Sequence, residues 1–69
     1  MNLIEWIEKE TVPVVAEKLD VSERVVYIWL NLQGAPQFDN AYKIKMLTRG
    51  KLDFNAIYGQ RLNFVRKNT

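Results

Sequence analysis

The sequence contains no cysteine and no histidine. Without cysteine there is no disulfide framework and no thiolate metal site to staple a small fold, and a cytosolic compartment is the natural reading. Without histidine as well, most zinc sites, Cys/His nucleophile pairs and His general bases are excluded, so the sequence implies neither an enzyme nor a cofactor. The remaining carboxylates Glu5, Glu8 and Glu10 read as the solvated side of a first helix. Long apolar runs are missing too. None approaches the roughly 18 residues needed to cross a bilayer, and the N-terminus carries acids where a signal peptide would carry bases, so neither secretion nor a membrane partner is expected. No small-molecule substrate is implied either. Glycine is scarce, at three residues, and each of them is read below as a helix stop.

What is there is a chain of 69 residues, enough for one domain over residues 1–69. A domain this short buries only roughly 60% of its unfolded surface, which favours an economical helical core. The formal net charge is only +2, yet the signs are segregated. In residues 1–23 the acids Glu5, Glu8, Glu10, Glu17, Asp20 and Glu23 meet only two bases, Lys9 and Lys18. From Arg24 onward the bases Arg24, Lys43, Lys45, Arg49, Lys51, Arg61, Arg66 and Lys67 outnumber Asp39 and Asp53. Such polarity suits one face turned toward a polyanion and another turned away from it.

Leu3, Ile4 and Ile7, with Trp6 alongside, recur at helical spacing and predict a first helix over roughly residues 2–10. Thr11 is expected to cap a second helix with its hydroxyl, and Pro13 fits just behind it because first-turn N–H groups lack helical partners. Val12, Val15, Ala16 and Leu19 then make one buried stripe on this helix, about residues 12–19. After Asp20 and Val21, Ser22 is read as the cap of a third helix reaching about Leu32, with Gly34 supplying a left-handed C-cap and Pro36 forbidding continuation. A fourth helix is expected from about Asp39 to Thr48, with Ala41, Ile44 and Leu47 inward and Gly50 ending it. Beyond it two readings stay open. Asp53 as a cap before Phe54, Ile57 and Tyr58 gives a fifth helix closed by Gly59. Alternation of Leu52, Phe54, Ala56 and Tyr58, a turn at Gly59 and Gln60, and Leu62 and Phe64 beyond it gives a β-hairpin. The fold class is therefore an all-α bundle of four to five helices, with an α+β form as the alternative. In either form Leu62, Phe64 and Val65, in the apolar stretch 60–66, are too apolar for a free tail and are expected to pack on the core or on a second subunit.

The stretch from Thr11 to Leu32 stands out as a unit. A short helix, a tight turn and a longer helix can cross closely only if the side chain at the contact is small. Ala16 falls there, while Val21, Val26 and Trp29 fall where they would seal the crossing. Winding the third helix at about 100° per residue gathers Val25, Val26, Trp29 and Leu32 on one arc and Glu23, Arg24, Tyr27, Ile28 and Asn31 on the opposite one. The second arc carries groups that a helix in the major groove of double-stranded DNA would use. Arg24 suits guanine O6 and N7, Glu23 suits cytosine N4, Asn31 suits adenine or a phosphate, and Tyr27 and Ile28 suit a thymine methyl. Phosphate positioning is expected from Thr11 and the amides behind it, from Ser22, and from Gln33, Gln37, Asn40 and Lys43 after the third helix.

These segments resemble a known family. VVAEKLDVSERVVYIWL (Val14 to Leu30) is similar to the helix-turn-helix segment of the lambda-repressor-like DNA-binding domains, which include phage Cro proteins, phage repressors and YdaS-type regulators. GAPQFDNAYKIKMLTRGKLDFNAIYG (Gly34 to Gly59) is similar to the part that carries the fourth and fifth helices there, with Pro36, Asp53 and Gly59 at matching places. The resemblance implies a phage-type repressor, bacterial or prophage-encoded, that binds an inverted-repeat operator as a homodimer. It places Ser22, Glu23, Arg24 and Tyr27 against DNA and gives Ala16, Val26 and Trp29 the task of holding the motif together. Asp20 departs from the glycine usual in the family, and Glu23 puts an acid at the groove edge. Cro proteins that replace the fifth helix with strands match the hairpin alternative. The acidic first helix and Tyr27 serve a second function equally well, an antitoxin or anti-repressor that uses the same fold to bind a protein.

Overall fold

In the computed structural model, which describes residues 1–59, the first helix begins where Asn2 Oδ1 accepts the Glu5 N–H at 2.8 Å. This is α1 (Leu3–Glu10). It is followed by α2 (Val12–Leu19), α3 (Glu23–Leu30) and α4 (Phe38–Leu47). A fifth helix, α5, occupies residues 54–59, capped by Asp53 Oδ1, which accepts the Ala56 N–H at 2.9 Å. Five helices, with no strand among the described residues, make an all-α bundle. The hairpin alternative fails at 54–59 because the Asp53 cap and the helical period place Ile57 in the core. Leu62, Phe64 and Val65, with Arg61, Arg66 and Lys67, lie outside the described residues.

The predicted stripe on α2 is buried along its whole length, at Val12, Val15, Ala16 and Leu19. It meets Leu3, Trp6 and Ile7 of α1, Val26 and Trp29 of α3, Ala41 and Ile44 of α4, and Leu52 and Ile57 in one cluster. α2 is the hub of that cluster, since it packs on α1, α3 and α4. Each fully buried Val, Leu or Ile contributes about 1.5–3 kcal/mol relative to exposure, so an all-aliphatic hub accounts for much of the driving force in so short a chain.

Three helices end in one and the same way. After α2, Asp20 takes a left-handed backbone (φ 55, ψ 49). The Val21 N–H donates to Ala16 O at 3.0 Å and the Asp20 N–H to Glu17 O at 3.2 Å. This paired pattern satisfies two carbonyls that a helix end leaves open. Leu32 (φ 59) does the same after α3, with Gln33 N–H to Ile28 O at 3.0 Å, and Arg49 (φ 55) after α4, with Gly50 N–H to Lys45 O at 2.8 Å. None of the three left-handed residues is glycine. At Leu32 and Arg49, which lack the local hydrogen bonding of an Asp side chain, the conformation costs roughly 1–2 kcal/mol each.

Several sequence expectations are corrected here. The third helix stops at Leu30, so the left-handed position falls at Leu32 and Gly34 serves another purpose. A Cβ on Gly34 would lie 2.9 Å from Ile28 Cγ2, so the loop folds back on α3 at a distance only glycine permits. Gly59 is itself helical and is the last described residue of α5. Thr11 precedes α2, but its side chain makes no capping hydrogen bond; its backbone (φ 79, ψ 151) instead joins α1 to α2 in a single residue. Leu47 is half exposed, at 49%. Steps of three residues turn only about 300°, so a stripe that starts at Ala41 and Ile44 drifts off the core by the third step.

Side chains and one loop tie the remaining joints. Glu10 Oε1 and Lys18 Nζ pair at 2.6 Å, bracing the end of α1 against the end of α2. The Thr48 hydroxyl donates to Ile44 O at 2.9 Å and accepts the Leu52 N–H at 3.1 Å, which draws buried Leu52 onto the end of α4. The Tyr58 hydroxyl donates to Pro36 O at 2.8 Å and so fixes the loop between α3 and α4 to α5. Burial, and secondarily the charge of Asp39, raise the Tyr58 pKa above its ordinary value, which keeps the donating proton in place.

Candidate nucleic-acid interface

α3 is aimed by what lies at its two ends. At its start the left-handed turn at Asp20 reverses the chain, and Ser22 Oγ accepts the Val25 N–H at 3.3 Å. Such a cap contributes about 1 kcal/mol and fixes where the first exposed side chains emerge. At its end Asn31 donates its backbone N–H to Tyr27 O at 2.9 Å. Val26 and Trp29 on the reverse side are buried, Ala16 is buried on α2, and Val21 is half-buried against the same core. The inner side of α3 therefore has little freedom to roll.

On the outer side, Glu23, Arg24, Tyr27 and Asn31 are all exposed. Tyr27 leaves 49% of its surface in solvent although its ring is largely apolar. Among the described residues Arg24 has no ion-pair partner. One turn of helix thus presents a carboxylate, a guanidinium and a phenol, with an amide following at the C-terminal end. The set offers a planar fork of donors, an acceptor, and an apolar ring carrying a hydroxyl, the group types that discriminate base edges in a major groove.

No protein-family model, curated protein or solved structure matches the chain. The chemistry of the site has to be read from its own residues.

Of the other residues singled out in the sequence, Ile28 does not stand with the outward group. It is half-buried, with its Cγ2 turned to Gly34. Ser22, Gln33 and Gln37 are exposed and Asn40 is half-buried. Gln37 directly precedes α4 in extended backbone and makes no side-chain cap. Lys43 is exposed, and its neighbours are Lys18, Tyr42, Met46 and Leu47 in a groove between α2 and α4. The start of α2 offers fewer amides than expected. Pro13 has no N–H and the Val15 N–H is bonded to Thr11 O at 3.1 Å, which leaves at most those of Val12 and Val14.

Sequence reasoning missed the outer side of α4. Phe38, Tyr42 and Met46 are exposed, at 70%, 50% and 60%. Their i, i+4, i+8 spacing was visible beside the inward pair Ala41 and Ile44, and it marks a helix that is apolar on two sides.

Proposed function

We propose that the chain is a sequence-specific regulator that binds double-stranded DNA, with α2, the turn at Asp20 to Ser22 and α3 acting as a helix-turn-helix of the lambda-repressor-like kind. One observation carries this reading: Glu23, Arg24, Tyr27 and Asn31 stand together in solvent on a helix whose opposite side is locked by Val26 and Trp29. Arg24 takes the guanine edge bidentately, Glu23 accepts from cytosine, Tyr27 packs on a thymine methyl, and Asn31 pairs with adenine or holds a phosphate. Ile28 backs the others from its seat against Gly34. Ser22, Gln33 and Gln37, with Thr11, Asn40 and Lys43, position the backbone.

A helix with one exposed turn reads too few base pairs for a useful specificity, so the active form is a homodimer on an inverted repeat in a bacterial cytoplasm. The residues expected to make its contacts, Leu62, Phe64 and Val65, lie outside the described residues. Selection from random duplexes with the purified protein tests the proposal, and an enriched palindrome is the expected result. Arg24→Ala is expected to weaken specific binding by about 1–3 kcal/mol and relax preference at one base pair. Equal loss on every sequence would reassign Arg24 to a phosphate.

The exposure of Tyr27 also suits a second reading, an antitoxin or anti-repressor that binds protein through the same face. Salt separates the two. DNA affinity falls with a log–log slope of about 0.9 per phosphate contacted, whereas an apolar protein contact hardly responds.

A further inference from the structure

α4 leaves an apolar stripe of Phe38, Tyr42 and Met46 in solvent, with half-exposed Leu47 beside it. Met46, Leu47 and Tyr42 line a shallow groove of about 310 Å³ together with Lys18 of α2 and Lys43, and no acid lines it. Contiguous exposed apolar surface of this kind marks an interaction site. The stripe is partly ordered in advance. Phe38 stacks on Tyr42 and Phe54 with ring centroids 6.4 and 5.5 Å away, and Lys45 Nζ lies 5.2 Å from the Phe54 centroid. Side chains already held lose less freedom when a partner arrives.

The charge around the stripe selects the partner. A second groove that shares Leu47 adds Lys9, Arg49 and Lys51, and its one acid, Glu10, is already paired with Lys18 at 2.6 Å. A second copy placed on the same stripe by a two-fold axis would set these bases against their own counterparts, which opposes pairing. A helix with apolar residues on one side and carboxylates flanking them meets the opposite situation. We propose that this surface of α4 docks an acidic amphipathic helix of a partner protein, with its apolar side chains in the groove and its carboxylates toward Lys18 and Lys43. No residue of α3 lines either groove, and Lys43 is the one residue that the docking surface shares with the set assigned to the DNA backbone.

The probe is a synthetic helix-forming peptide with Leu at i, i+4 and i+7 and Glu at the flanking positions, compared with a counterpart in which every Glu is Lys. Amide shifts of the isotope-labelled protein are followed during titration. The acidic peptide is expected to bind at least about tenfold more tightly than the basic one, with shifts at Lys18, Tyr42, Met46 and Leu47. Met46→Asp, at a well-exposed position, is expected to weaken peptide binding by at least about tenfold while the melting temperature stays as it was. Equal affinity for the two peptides, or shifts centred on α3, would overturn the proposal. So would self-association of the protein that Met46→Asp abolishes, which assigns the stripe to a second copy.

Discussion

α3 and α4 each bury one side and leave the other in solvent, and the two open sides have opposite chemistry. On α3 the open side carries Glu23, Arg24, Tyr27 and, just past its end, Asn31; on α4 it carries Phe38, Tyr42, Met46 and Leu47. The first can form directional hydrogen bonds to a patterned edge, while the second gains by losing contact with water. One small core thus holds two outward surfaces that suit different kinds of partner, and exposure alone would not have told them apart.

The largest expected effect comes from removing what the exposed side of α3 stands on. Trp29 is buried behind Tyr27, and Trp29→Ala is expected to cost about 3–5 kcal/mol of stability, read by denaturant unfolding. If Trp29→Ala melts like the parent, α3 is not held from behind and its face is no fixed arrangement. Ala16→Leu comes next. Overpacking at that buried position on α2 is expected to destabilise by roughly 1–3 kcal/mol, and an unchanged melting temperature would mean that Ala16 is not where the helices come close.

A smaller change of opposite sign sharpens the comparison at the end of α4. Arg49 is left-handed at φ 55. Glycine would remove a conformational cost of roughly 1–2 kcal/mol but lose about 0.5–1 kcal/mol to its greater freedom when unfolded, so Arg49→Gly is expected to raise stability by about 0.5–1 kcal/mol. A melting temperature that falls instead would show that the Arg49 side chain holds α4 in place.

The smallest effect concerns pH. The hydrogen bond from Lys18, and then its charge, lower the Glu10 pKa below the ordinary carboxylate value. A depressed pKa in the folded state adds stability above the unfolded-state value and withdraws it as the pH falls through the folded-state one. Glu10→Gln is therefore expected to flatten the acid limb of the melting-temperature profile slightly and to leave the neutral limb a little lower. An identical acid limb in parent and variant would count against the pair.

The beginnings of α3 and α5 were legible in the sequence because they are made by side chains. Ser22 and Asp53 were recognisable as residue types able to accept from a free amide, and they do so at 3.3 and 2.9 Å. The ends of α1 and α2 fell at Glu10 and Leu19 as read, but the left-handed positions after α3 and α4 were not legible, because these turns are made by backbone bonds and the residues that happen to fall there are Leu32 and Arg49. Reading Gly34 as a stop relied on residue type where the length of the buried stripe decides. Periodicity placed the outward group of α3 because its inner side is sharply apolar. It failed at Leu47 and overlooked Phe38 because the apolar residues of α4 lie on two sides with Asp39, Asn40, Lys43 and Lys45 between them, so no single direction stands out. Thr11 illustrates a third limit: a residue that joins two helices in one step adopts the backbone the joint requires, and its hydroxyl is not aimed at an amide.

The bond from Tyr58 to Pro36 spans 22 positions of the chain and anchors the loop that carries Gln33 and Gln37. That loop also touches α3 at Ile28 through Gly34. The last described helix therefore works as a buttress for the first residues beyond α3. A disturbance arriving through α5 would reach the loop beyond α3 by a single hydroxyl.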